Sequence, residues 1–337
     1  MYQCTLHECM LNTVGIFPSH ELLLWRLESY TSSSNQLCNC TQSASEQELE
    51  KATRRPSTVQ RHPRHVNTDS TWKPGHRTTL ITNTTCAQHY SFLILVSSAP
   101  ANLQRRNNIR KTWAFESAFK PRWTTVFLVA QTRLQNESNS LSKEDEVYGD
   151  LVRGAYYDHY WNQTLKIQMG FEWAIMYCKF SFLLKVDDDV FVNSAEVISF
   201  LSKPSTPNKK LYMGRLYEHY PVHRSGKWKV TDEEYREAHW PNFCPGFGFI
   251  LSHDVVVTFV DAFAVLPYFR LDDVYVGMLA KKTRIKVINN AGFELEDPEK
   301  PEKQCIPNEG TLVRHGYGTV QEECLIEISI EPLKYAG

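Results

Sequence analysis

The chain has 337 residues, 42% of them hydrophobic and 12% aromatic, enough for a sizeable core in one large domain or two ordinary ones. Its 37 basic and 38 acidic residues leave a formal charge of -1, so the charge balance asks for neither a nucleic acid nor an anionic surface as partner. The nine cysteines are scattered without a paired CxxC arrangement, which argues against a structural zinc site.

Residues 31–80 are dominated by Ser, Thr, Gln, Asn, Arg, Glu and Pro, and such a segment cannot bury enough surface to offset its ordering. We expect a linker or stalk there. The most apolar N-terminal piece, 11–27, is interrupted by His20, Glu21 and Arg26, short of the about 20 mainly apolar residues that a bilayer requires. As written, the chain reads as soluble or incomplete at its N-terminus. Glycosylation sequons at Asn39, Asn83, Asn136 and Asn162 lean toward a secretory protein.

Core-capable sequence runs from about residue 90 to about 330. The run 90–98, YSFLILVSS, predicts a strand buried on both faces. Pro100 closes it, and Asn102 can cap a helix over 103–115. A second buried strand follows at 124–130, then a short acidic helix at 142–148. The spacing in 164–177 predicts a helix with Leu165, Met169, Trp173 and Met176 along its core face. A strand over 180–186 comes next, followed by a helix at 194–201 and strands at 211–216 and 246–251. Helices at 254–265 and 272–282 and a strand at 285–289 complete the series. Alternating apolar strands and helices predict an α/β fold with a largely parallel sheet covered on both faces, whose ligands bind at the carboxyl ends of the strands.

The aspartate run Asp187, Asp188 and Asp189, in LLKVDDDVFVN, falls at such an end. Adjacent carboxylates resist desolvation and repel one another unless something positive compensates, and a hard divalent cation such as Mn2+ or Mg2+ does so economically. The plainer alternative is a solvated corner that caps the helix at Ser194.

Three further segments carry a pattern: RRNNIRKTW (105–113), WPNFCPGFGFILS (240–252) and LDDVYVG (271–277). In the first, Ile109 and Trp113 share a helical face expected in the core, while Arg106 and Arg110 share a neighbouring one and could meet a diphosphate or form salt bridges. In the second, Gly246 and Gly248 would let backbone approach a ligand beside aromatic rings, although packing alone would also account for Phe247 and Phe249. In the third, Asp272 and Asp273 either serve chemistry or complement a helix N-terminus.

These four segments, in this order and spacing, together with the stretch 147–178, resemble the β-1,3-galactosyltransferase family of Golgi glycosyltransferases, which also contains β-1,3-N-acetylglucosaminyltransferases. The similarity covers roughly residues 90–325. It implies a GT-A fold, a Rossmann-like mostly parallel sheet with helices on both faces, in a catalytic domain over 86–337 behind a largely disordered stalk at 1–85. By the same resemblance, the family's metal-binding Asp-any-Asp motif maps to Asp187 and Asp189, with Asp188 between them on the donor side. Asp189 is then the principal ligand of Mn2+ (or Mg2+), and Asp187 addresses the ribose or shares the metal. His315, in VRHGYG, aligns loosely with a C-terminal histidine ligand of related enzymes. Arg106, Arg110, Gly246 and Gly248 fall on the donor side.

The family usually carries Glu-Asp where this chain has Asp272-Asp273, and the second acid matches the proposed general base. The expected reaction is inverting transfer of galactose from UDP-galactose to the 3-hydroxyl of a terminal sugar on a glycoprotein or glycolipid. UDP-N-acetylglucosamine is the alternative donor, and a sugar-binding protein without turnover is a remoter alternative. A metal-dependent phosphoesterase would need further His and Asp ligands for a second metal, and no such set is evident in the sequence. The resemblance places the domain in the Golgi lumen, on a membrane anchor that this chain does not show. Cys305 and Cys324 are expected near one another if oxidised.

Overall fold

The computed structural model describes residues 59–61, 80–82, 84–116, 120–295 and 309–315. The stalk reading and the Cys305 and Cys324 pairing therefore lie almost wholly outside the described residues.

A short antiparallel pair, β1 (Val59–Arg61) and β2 (Thr84–Cys86), precedes the main sheet. The chain then runs through β3 (His89–Ser97), α1 (Leu103–Lys111), β4 (Trp123–Gln131), α2 (Gln135–Tyr148), β5 (Leu151–Tyr157), α3 (Gln163–Tyr177) and β6 (Lys179–Asp187). After β7 (Val190–Val192) come α4 (Ser194–Leu201), β8 (Tyr212–Gly214), β9 (Gly248–Ser252), α5 (His253–Ala262) and α6 (Asp272–Thr283). Three short strands follow, β10 (Val287–Asn289), β11 (Phe293–Glu294) and β12 (Val313–His315).

The seven-stranded sheet has the order β10-β8-β9-β6-β3-β4-β5, and β9 alone runs against its neighbours. Because side chains alternate along a strand, Ile94, Val96, Leu184 and Val186 enter one core with Ile109 of α1 and Val197 of α4. Leu93, Leu95 and Leu183 enter the other with α3, α5 and α6. Both faces are covered, as the apolar strands require.

Several boundaries differ from expectation. Strand β5 was not anticipated: its apolar signal is broken by Arg153 and by Gly154, where a Cβ would stand 2.5 Å from the Tyr156 ring and 2.6 Å from Met169 Sδ. Helix α2 begins seven residues earlier than its acidic stretch suggests, since it is mostly solvated and buries only Leu141 and Glu144. In α3, Met169 and Trp173 are buried, but Met176 is 42% exposed and Leu165 half-buried. This helix lies between the sheet and α5 and α6, with Phe171 stacked on Phe263, so burial extends around it instead of following one stripe.

Cys86 and Cys178 form a disulfide that ties β2 to the end of α3 across a sequence separation of 92. Cross-linking so long a loop restricts the unfolded chain, and Cys178→Ala is expected to lose about 2–5 kcal/mol. Urea unfolding of the oxidised domain measures this, and an unchanged midpoint would refute it.

Candidate active site

Strand β6 pairs in parallel with β3, and Ser97 stands opposite Asp187, so the aspartate run begins at the carboxyl edge of the two strands. Asp188 and Asp189 form the turn into β7. Beyond that turn β12 pairs antiparallel with β7, and the register His315 to Val190 brings His315 beside the run.

The three carboxylates face three environments. Asp187 lies on the same side of β6 as Lys185, two residues earlier, whose ammonium donates to Asp187 Oδ1 at 2.8 Å and to the Gly246 carbonyl at 2.5 Å. Asp188 is buried and accepts from Ser98 Oγ at 2.7 Å, Asn102 Nδ2 at 2.8 Å and Arg105 Nη1 at 2.8 Å. It braces the loop against α1, where the sequence reading expected a donor contact. Asn102 is thereby diverted from the capping role expected of it and makes no side-chain cap bond. Asp189 is 36% exposed at the cleft mouth, 3.7 Å from Arg105 Nη1 and 3.8 Å from His315 Nε2. Asn193 caps α4 through the Glu196 N–H at 3.1 Å, so the plainer reading of a helix cap holds beside the carboxylate cluster.

The second group of carboxylates arrives from α6. Asp272 and Asp273 open that helix, and Asp272 Oδ2 lies 3.6 Å from Lys185 Nζ. Asp273 Oδ1 accepts the Val274 N–H at 2.7 Å, and the Gly246 N–H also bonds this carboxylate. A Cβ on Gly246 would stand 3.6 Å from Asp272 Oδ2, 3.6 Å from Lys185 Nζ and 3.8 Å from Asp187 Oδ2, so this glycine keeps the meeting point of the carboxylates open. Gly248 serves otherwise. It pairs with Val186 in the sheet, and a Cβ there would meet Val313 Cγ1 at 3.1 Å, so packing and not ligand approach accounts for it. Phe247 and Phe249 are buried, with Phe247 5.8 Å from the His315 ring between centroids.

Crowded carboxylates of one sign raise one another's pKa. At Asp187 the surrounding protein desolvates the carboxylate and pushes its pKa up to about 6, with Lys185 opposing and Asp272 adding to the rise, even though water reaches part of the side chain. At Asp273 burial comes first and repulsion from Asp272 second, and together they push it up to about 7 against the Val274 N–H, Lys185 and the Gly246 N–H. Lys185 is 1% exposed; burial alone would lower its pKa, but Asp187, Asp272 and Asp273 raise it above the ordinary value.

The structure does not bring Arg106 or Arg110 to this cleft. Arg106 is 0% exposed and forms two 2.7 Å bonds to Glu144, while Arg110 bonds Glu144 at 2.6 Å and Asp150 twice at 2.8 Å. The salt-bridge alternative replaces the expected diphosphate contact for both. Their neighbour Arg105, 45% exposed, is the guanidinium that reaches the aspartate run. Sequence reasoning missed Arg105, although it begins the same motif, and missed Lys185, which it absorbed into an apolar strand. A lone lysine two residues before a strand-end carboxylate was the available signal, because period-two alternation puts both on one face.

A cavity of about 670 Å³ opens at the carboxyl ends of β3, β4 and β5, lined by Ala99, Gln131, Tyr157, Asp158 and Asn162 among others. It adjoins the aspartate run through Ser98, which precedes Ala99 and donates to Asp188. Among the described residues no three carboxylate, imidazole or thiolate side chains converge into a complete metal cage. Asp189 and His315 nevertheless approach one another at 3.8 Å at an open rim. An oxygen and a nitrogen donor on two half-exposed side chains suit a hard divalent cation that completes its shell with water and phosphate.

Comparison with known proteins places the chain in a family. The chain is 32% identical over 213 residues to beta-1,3-galactosyltransferase 1 of Homo sapiens and of Mus musculus, covering 62% of this chain and 65% of the relative. It is 33% identical over 210 residues to beta-1,3-galactosyltransferase brn of Drosophila melanogaster, covering 61% and 64%. The chain thus spans slightly less than two thirds of the length of these relatives. Among solved structures, the galactosyltransferase LgtC with donor and acceptor sugar analogues shares 10% identity at a TM-score of 0.36, covering 70% of this chain and 95% of that one, too slight a likeness to carry function. The family model described as galactosyltransferase matches residues 104–291, more than half of the sequence, including the aspartate run, Gly246 and the Asp272-Asp273 pair. The chain belongs to the galactosyltransferase family.

Proposed function

We propose that this domain is an inverting β-1,3-galactosyltransferase that moves galactose from UDP-galactose to the 3-hydroxyl of a terminal sugar on a glycoprotein or glycolipid. The observation that carries the reading is the meeting of two carboxylate groups from distant parts of the chain: Asp187, which closes β6, and Asp272, which opens α6, lie 2.8 Å and 3.6 Å from Lys185 Nζ. One group suits the donor diphosphate, and the other suits the acceptor hydroxyl. Galactose is preferred to N-acetylglucosamine as the transferred sugar because the relatives named above are galactosyltransferases. The Golgi lumen, reached through a membrane anchor, is the setting the resemblance supports; no helix among the described residues is long and apolar enough to cross a membrane.

In this reading the uridine enters the cavity beside Tyr157 and Asp158, and the diphosphate extends toward Arg105 and Asp189. Asp187 addresses the ribose or shares the metal. Asp189 and His315 would hold Mn2+ or Mg2+, which offsets the charge on the departing β-phosphate oxygen. Asp273 accepts the proton of the acceptor hydroxyl as that oxygen bonds to the anomeric carbon. The bond from that carbon to UDP breaks on the opposite side, its electron pair leaves with the phosphate, and the α-linked donor becomes a β-linked product. Asp188 acts earlier in the chain of causes, fixing the loop on which Asp187 and Asp189 sit.

The direct test is UDP release by the purified domain against a panel of UDP-sugars and mixed sugar acceptors, with Mn2+ or with EDTA. Metal-dependent release from UDP-galactose supports the reading, release from UDP-N-acetylglucosamine transfers it to the other branch, and hydrolysis without glycosidic product overturns it. Arg105→Ala should raise the donor KM about tenfold with a smaller change in kcat, since a half-exposed guanidinium contributes charge to diphosphate binding and no proton transfer. An unchanged donor KM would remove Arg105 from the phosphate site.

A further inference from the structure

Lys185 has no part in the chemistry proposed above, yet it stands at the junction of three segments far apart in sequence. Its ammonium donates to Asp187 at the end of β6 and to the Gly246 carbonyl before β9, and it faces Asp272 at the start of α6 at 3.6 Å. An apolar side chain would satisfy the packing of a strand flanked by Leu184 and Val186. A buried ammonium carries a desolvation cost that only well-placed partners offset, and here Asp187, the Gly246 carbonyl and Asp272 all belong to the cleft. Its four-carbon stem is buried, and three rotatable donors can serve a carbonyl and two carboxylates at once.

Building on the glycosyl-transfer reading, we propose that Lys185 is a positioning residue that sets the distance between the donor-side carboxylate Asp187 and the acceptor-side pair Asp272 and Asp273. The two halves of the cleft come from different secondary elements, and displacing reacting groups by about 1 Å is enough to cost on the order of 100-fold in rate. Lys185 fixes that spacing through Asp187 and the Gly246 carbonyl on one side and Asp272 on the other. It touches neither the acceptor hydroxyl nor the anomeric carbon in this scheme and acts through the carboxylates.

The test compares the wild-type domain with Lys185→Met, Lys185→Arg and Asp272→Asn. For each, calorimetry gives UDP affinity with Mn2+, steady-state kinetics gives kcat and both KM values, and hydrogen exchange follows amides of residues 246–248 and 272–276. Lys185→Met should bind UDP within about threefold of wild type while kcat falls about 100-fold, and its amides at 272–276 should exchange faster. Lys185→Arg should recover part of kcat and slow that exchange. Unchanged kcat in Lys185→Met would overturn the proposal, as would parallel loss of UDP binding and kcat in a folded protein, or an arginine variant no better than the methionine one. If Lys185→Met does not fold, Asp272→Asn decides, because it removes only the acceptor-side partner: wild-type kcat and wild-type exchange there overturn the proposal. Should the wild type turn over no donor, the glycosyl-transfer reading fails. The exchange at 272–276 then still shows whether Lys185 holds α6 in place.

Discussion

Asp273→Asn is expected to lower kcat by about 100- to 10,000-fold, the range that a positioned general base contributes, while UDP affinity in the presence of Mn2+ stays near wild type. Asparagine keeps the shape of the side chain and an oxygen to accept the Val274 N–H, so α6 should retain its first turn. What it lacks is a site for the acceptor's proton. The pH dependence gives a second reading of the same group. Burial and the neighbouring Asp272 push Asp273 up to about 7, and the base works only when ionised, so kcat/KM should fall as pH drops through that region and level off above it. A bound donor complex that brings positive charge nearby would move the corresponding limb of kcat to lower pH. Full turnover in Asp273→Asn removes this residue as base; lost UDP binding in that variant assigns it a structural role.

The strands and the aspartate run were legible because burial on both faces and like charges at a strand end leave strong marks in sequence. Strand β5 was not, since Gly154 and Arg153 interrupt its apolar signal for reasons that lie in α3 and solvent. The arginines of α1 show where local reasoning stops. Helical spacing correctly paired Arg106 with Arg110, but only the distant Glu144 and Asp150, brought in by α2 and β5, decide that this face is internal. Arg105 is left facing Asp188. Lys185 illustrates the converse: within its own strand it reads as an interruption of an apolar run, and its meaning depends on Gly246 and Asp272, 61 and 87 positions later in the chain. His315 likewise joins the cleft through the pairing of β12 with β7, a register that no local pattern announces.

Asp189→Ala should separate the two adjacent aspartates by function. Asp189 lies at the open rim near His315 and Arg105, so its loss should abolish the Mn2+-dependent part of UDP binding and lower kcat/KM by about 1,000-fold or more, as expected when both the metal's charge and the donor's orientation are lost. Its unfolding midpoint should shift less than that of Asp188→Ala, because the Asp189 side chain is partly solvated whereas Asp188 is buried beneath three donors. Asp188→Ala should do the reverse to stability. It strips Ser98, Asn102 and Arg105 of their shared acceptor, and an abandoned buried donor costs about 1–3 kcal/mol. Calorimetry of UDP with Mn2+ and with EDTA, beside urea unfolding of both variants, reads the contrast. If Asp189→Ala keeps a metal-dependent gain in UDP affinity, the ion is held without this carboxylate. If Asp188→Ala instead loses that gain at undiminished stability, the ligand is the central aspartate, and the bracing seen here must give way when the donor binds.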